Sequence, residues 1–143
     1  MSTLKVTNVQ HETSTLNTLV FDNGGGSGNG RVTTKGTIGE ITAISYASTI
    51  TLDFRTGNNF STTLTGNTTF ANPSNISAGQ SGVLFITQDG TGSRTLSFGA
   101  NYKFPGGTAP TLSTGASAAD RIDYITFTST NIHAVATLNV STA

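Results

Sequence analysis

Residues 82–99 read GVLFITQDGTGSRTLSFG, and the way this stretch folds back decides the architecture. The four residues from Val83 to Ile86 are all apolar, the mark of a strand covered on both faces rather than one. Asp89-Gly90 follows, the strongest short-range signal for a tight reversal. Beyond it Leu96 and Phe98 alternate with polar neighbours, so the stretch predicts two strands joined as a hairpin. The wider segment 88–115 holds six glycines and two of the three prolines of the chain. Glycine and proline at that density set corners.

The same pattern spreads outward. In TITLDFR, residues 49–55, Ile50, Leu52 and Phe54 fall on one face; the turn TGNN leads to FSTTLTG, residues 60–66, with Phe60, Thr62 and Leu64 in phase. This predicts a second hairpin, because Gly57 and the asparagines accept the positive φ of tight turns. A third is expected from RIDYITFTS (121–129) and NIHAVATLNV (131–140), where Ile132, Ala134, Ala136, Leu138 and Val140 alternate. No stretch carries the three-to-four spacing of a helix. Period-two runs broken by Gly and Asn at short intervals indicate an all-β fold, an antiparallel sandwich or barrel of jelly-roll-like type. Upstream, residues 2–11 and 15–23 read as strands, and GGGSGNG (24–30) as a flexible reversal. The segment 31–45 reads either as a strand pair or as an extended arm. The expected division is therefore an N-terminal arm and linker over 1–45 and a β-module over 46–143.

Composition narrows the function. The 143 residues suit one modest domain with an arm. Charged residues are only 10%, against roughly 25% in ordinary soluble domains. Thr, Ser, Asn and Gly take their place, giving a surface solvated by hydroxyls and amides. Seven basic and seven acidic residues balance to zero net charge. No basic field exists to hold nucleic acid by counterion release, and weak self-repulsion favours association. There is no cysteine, hence no disulfide, thiolate nucleophile or zinc knuckle. The start MSTLKVTNVQHETS lacks the basic-then-apolar order of a signal peptide, and no run of about 18 apolar residues reads as a membrane helix. Synthesis in a host cytoplasm without membrane partners is expected.

Sites for chemistry are sparse. GGGSGNG matches neither phosphate-binding glycine pattern and has no helix behind it. His11 and His133 lie on separate strands with no third ligand at a metal-like spacing. Ser81 in AGQSGV lacks the nucleophile elbow. Asp120 and Asp123 flank Arg121, which favours a salt-linked strand start over a glycosidase pair. Asp89 sits among glycines with too few acidic neighbours to favour calcium over a turn. No catalytic residue, cofactor or metal is expected. Phe98, Tyr102 and Phe104 cluster around GANYKFPGG; together with Asp89 they are the candidates for ligand or subunit contact, the alternative being an apolar seal.

These loops resemble a β-module of bacteriophage tail-fibre and other virion-surface proteins. The resemblance rests on Gly57 to Phe60, on Leu64 to Thr69 (LTGNTT), on Gln88 to Thr95 (QDGTGSRT), on Pro105 to Ser113 (PGGTAPTLS) and on Asp120 to Tyr124, and spans residues 49 to about 140. The module carries tryptophan where this chain has Phe98 and Phe104, which weakens any sugar stacking that depends on indole. The resemblance implies a non-enzymatic structural protein on the virion surface, homotrimeric, with the phage major capsid protein or a tail protein as partner. Size favours a trimeric capsid decoration, cement or knob protein docked by residues 1 to about 45. The alternative is a tail-fibre or appendage tip contacting host surface glycans through loops 88–93 and 101–110.

Overall fold

The computed structural model describes residues 38–140. They form nine strands: β1 (Ile41–Ala43), β2 (Thr49–Ile50), β3 (Asn59–Leu64), β4 (Thr68–Phe70), β5 (Ser81–Gln88), β6 (Leu96–Phe98), β7 (Tyr102–Lys103), β8 (Ala119–Thr128) and β9 (Asn131–Val140), with one 3-10 turn at Pro105–Gly107. The expected arm over 1–45 lies mostly outside these residues, as do His11 and the glycine run. Its last part is strand β1, which pairs with β3.

The all-β class and the two-layer arrangement agree with expectation. One sheet has six strands in the order β1-β3-β5-β8-β9-β7; the other has three, β2-β4-β6. Strand direction is mixed rather than uniformly antiparallel. From β1 to β6 the chain alternates between the two sheets, so each sheet collects every second strand in parallel: Ile41 opposes Asn59 and Asn59 opposes Val83 in one, while Thr49 opposes Thr69 and Thr68 opposes Leu96 in the other. The path is a flattened coil of three turns. β8 then returns antiparallel along β5, β9 antiparallel along β8, and β7 lies parallel on the far edge of β9.

Two expected hairpins are therefore crossings. Residues 49–55 and 60–66 go to different sheets, and so do 82–88 and 94–99; only β8 and β9 form a hairpin. The physical reason is that alternation records which side of a strand faces the core. A strand returning beside its predecessor and a strand crossing to the facing sheet show the same pattern.

The inward positions fill one core. Phe60 and Leu64 from β3, Leu84 and Ile86 from β5, Ile122 and Tyr124 from β8, and Ile132 and Ala134 from β9 face Ile50 and Phe70 of the smaller sheet. Leu52 and Phe54, in the crossing after β2, keep the alternation and are buried too. Phe54 stacks on Tyr124 at 4.9 Å and on Phe60 at 5.9 Å between ring centres. Each such side chain contributes roughly 1.5–3 kcal/mol through burial.

Side-chain amides join the corners where charges are scarce. The Asn67 Oδ1 accepts from the Thr95 N–H at 3.0 Å and the Asn72 Oδ1 from the Asn101 N–H at 2.8 Å, each linking one turn of the coil to the next. Gln80 Nε2 donates to the Phe54 carbonyl and to Asn58 Oδ1, both at 2.7 Å. These bonds satisfy loop backbone that a corner would otherwise leave unpaired.

Candidate functional site

The four residues expected to touch a ligand or subunit are placed unequally. Asp89, just past β5, is fully engaged: its Oδ1 accepts from the N–H groups of Thr91 (3.0 Å) and Gly92 (2.8 Å), and its Oδ2 meets Arg94 Nη2 at 2.7 Å and Nε at 3.1 Å. The Arg94 side chain, and then the Gly92 N–H, hold its carboxyl below the usual carboxylate range. Gln88 closes the same loop, accepting from the Arg94 N–H at 2.8 Å and donating to the Arg94 carbonyl at 3.0 Å. Gly92 at φ 74° and Ser93 at φ 61° complete the turn. The loop is locked by its own side chains.

The aromatic trio packs edge to face. Phe98 meets Tyr102 at 5.3 Å and Phe104 at 4.8 Å, and touches Phe70 at 6.0 Å. Tyr102 is only 6% exposed, and burial pushes its phenol above the ordinary range. It belongs to the core and offers no exposed face. Phe98 and Phe104 are half-buried around it, so the cluster seals one end of the layers, and Phe104 alone of the trio lines a surface groove.

That groove, about 560 Å³, lies on the outer face of the six-stranded sheet between Lys103–Pro105 and the β8–β9 hairpin, with Asp123, Ile125, His133 and Val135 among its walls. It continues into an apolar face. The register places Val83 beside Asp123 and Asp123 beside Val135; Phe85 lies beside Arg121; Ile125 lies beside His133, which lies beside Lys103. Phe85 is 38% exposed, Ile125 51%, Val135 55% and Phe127 68%. Phe127 stacks on His133 at 5.8 Å. Within the face Arg121 Nε meets Asp123 Oδ2 at 3.0 Å.

The sequence reading singled out none of Ile125, Phe127 or Val135. The signal was present: β8 carries Ile122 and Tyr124 on one face and Ile125 and Phe127 on the other, and Val83 to Ile86 is apolar in both phases. Among the described residues only the inner phase is covered.

The remaining candidates separate. Asp120 and Asp123 project from opposite faces of β8. Asp120 is buried and accepts from the Ser113 N–H (2.8 Å), the Ser113 hydroxyl (2.7 Å) and the Asn139 N–H (2.8 Å), whereas Asp123 pairs with Arg121 outside. They cannot flank one glycosidic bond. Among the described residues no three His, Asp or Glu side chains gather as a metal site.

Residues 32–120, more than half of the chain, match the family described as "Putative phage tail fibre C-terminal domain". No curated protein and no solved structure matches the chain.

Proposed function

From the premise that this chain belongs to the phage tail fibre C-terminal domain family, we propose that it is a non-enzymatic module of a phage appendage that associates with copies of itself and touches the host surface. Its character as a tail-fibre-type structural protein of the virion follows from the family. The match supports the appendage alternative over the capsid-decoration reading, which rested on size.

The observation that carries self-association is the outer face of β5, β8 and β9. Four large apolar side chains, Phe85, Ile125, Phe127 and Val135, stand exposed there, interspersed with the Arg121–Asp123 ion pair and His133. Large apolar side chains clustered in the open on one sheet face are a usual mark of an interface. Zero net charge leaves copies little repulsion to overcome, and closure into a ring, a homotrimer as the resemblance implies, leaves no such face free. A tail protein is the expected docking partner.

Two measurements test this reading. Native mass measurement of the purified chain is expected to give a closed homo-oligomer, and gold-labelled antibody on intact virions is expected to mark the tail. A monomer at all concentrations, or label spread over the head, overturns the corresponding half.

A further inference from the structure

A second groove of about 530 Å³ opens at the opposite edge of the six-stranded sheet, where the chain leaves β1 for the other sheet. β1 covers β3 only as far as Ser61. Ile44 donates its N–H to the Ser61 carbonyl at 2.7 Å, and the chain then turns away, leaving the rest of β3 uncovered on that side. The space is lined by the hydroxyl residues Ser45, Ser61, Thr63, Thr65 and Thr87, by the ring of Tyr46 and by the apolar Ala43 and Ile44. Its volume lies within the range of roughly 300–1,000 Å³ usual for small-ligand sites.

Two features distinguish this groove from a chance hollow. Tyr46 is held in place: its hydroxyl donates to the Asn67 carbonyl at 3.3 Å, and it lies over Gly66, where a Cβ would collide with the phenol oxygen. The ring is still 38% exposed, so a fixed aromatic surface is offered to the solvent. Second, among the described residues no acidic or basic side chain lines the groove.

We infer that this groove binds an uncharged polyhydroxylated chain, a segment of neutral glycan. Sugar C–H faces pack on an aromatic ring, and sugar hydroxyls exchange donor and acceptor roles with Ser and Thr hydroxyls. An anionic ligand would find no cation among these lining residues to offset its desolvation, and Arg94, whose charge reaches Tyr46, is already paired with Asp89. The groove adjoins the apolar face at its β5 border, where Ser61 lies beside Phe85 and Thr63 beside Thr87. Only the ligand's source, the host surface, rests on the appendage reading; the chemistry of the groove does not.

Affinity electrophoresis of the full chain in gels containing dextran, mannan or galactan, with alginate as the acidic counterpart, tests the inference. At least one neutral polysaccharide is expected to retard the protein while alginate does not, and added salt is expected to leave the retardation unchanged. Tyr46→Ala is expected to weaken binding roughly tenfold. Thr63→Glu, an exposed position, is expected to abolish it without altering the melting curve, and decides the matter if Tyr46→Ala perturbs folding. Absence of retardation by all three neutral polymers, retardation by alginate alone, or wild-type binding by both variants overturns the inference. Binding as expected combined with antibody label on the head would remove the appendage reading and leave the site standing.

Discussion

The Asp120 carboxylate accepts the backbone N–H of Asn139 at 2.8 Å, and thereby ties the start of β8 to the end of β9 where their register slips. Asn139 has φ 52°, a left-handed conformation that asparagine adopts more readily than most residues. The same carboxylate holds Ser113 through its N–H and hydroxyl. A charge 2% exposed is thus satisfied by three donors. Asp120→Ala leaves those donors unpaired, and a loss of roughly 3 kcal/mol in urea unfolding is expected; a loss below about 0.5 kcal/mol would mean that solvent replaces the carboxylate there.

Gly82 is required by a close approach rather than by a turn. The Asn58 carbonyl occupies the place a Cβ would take, and it also accepts the Tyr124 hydroxyl at 2.7 Å and the Val83 N–H at 3.2 Å. Gly82→Ala must push the 56–58 loop off β5. A destabilisation of roughly 2–3 kcal/mol is expected, with near-ultraviolet ellipticity from Tyr124 altered. An unchanged unfolding midpoint would contradict the packing described.

How much of this was legible depends on what each residue reports. Ile50, Leu52 and Phe54 were readable as inward because burial imposes the period of two whether or not the strand is paired, and Leu52 and Phe54 are in fact in a crossing. The β8–β9 hairpin was readable because long alternating runs flank a short turn. The parallel coil was not: Asp89-Gly90 signals a reversal, but here Asp89, Gln88 and Arg94 shape a wider loop that delivers β6 to the other sheet. β1 was obscure because three residues with one half-buried side chain make almost no pattern. Tyr102 and Phe104 are two residues apart in one phase, yet one is buried and the other reaches the surface, since the 3-10 turn at Pro105–Gly107 redirects the chain. Tyr46 was overlooked because its ring is positioned by Gly66 and Asn67, twenty residues away.

Acid sensitivity follows from the engaged aspartates. Asp89 is held below its ordinary range by Arg94 and Gly92, and Asp53 by the Asn75 side chain, at 2.7 Å, and the Arg55 N–H, at 2.9 Å. A folded-state pKa depressed below the unfolded one gives stability that is present above the unfolded value, near 4, and is lost as pH falls through the folded value. The melting temperature is expected to fall from about pH 4 downward, and less steeply in Asp89→Asn, which has already lost that contribution. A variant whose melting curve tracks the wild type in parallel at every acid pH would remove Asp89 from this account.

The apolar outer face separates folding from assembly, because its side chains contribute nothing to the core. Ile125 and Phe127 project away from Ile122, Tyr124 and Thr126 on the same strand, so Ile125→Asp and Phe127→Asp leave the inner layer untouched. The melting temperature of the isolated subunit is expected to change little, surface substitutions lying within about ±0.5 kcal/mol. The proposed oligomer is expected to dissociate, because each carboxylate must be desolvated against an apolar partner. Sedimentation velocity at several concentrations reads the difference. If both variants sediment as the wild-type oligomer, the contact between copies lies elsewhere, and the two-phase hydrophobicity of β5 and β8 needs another cover.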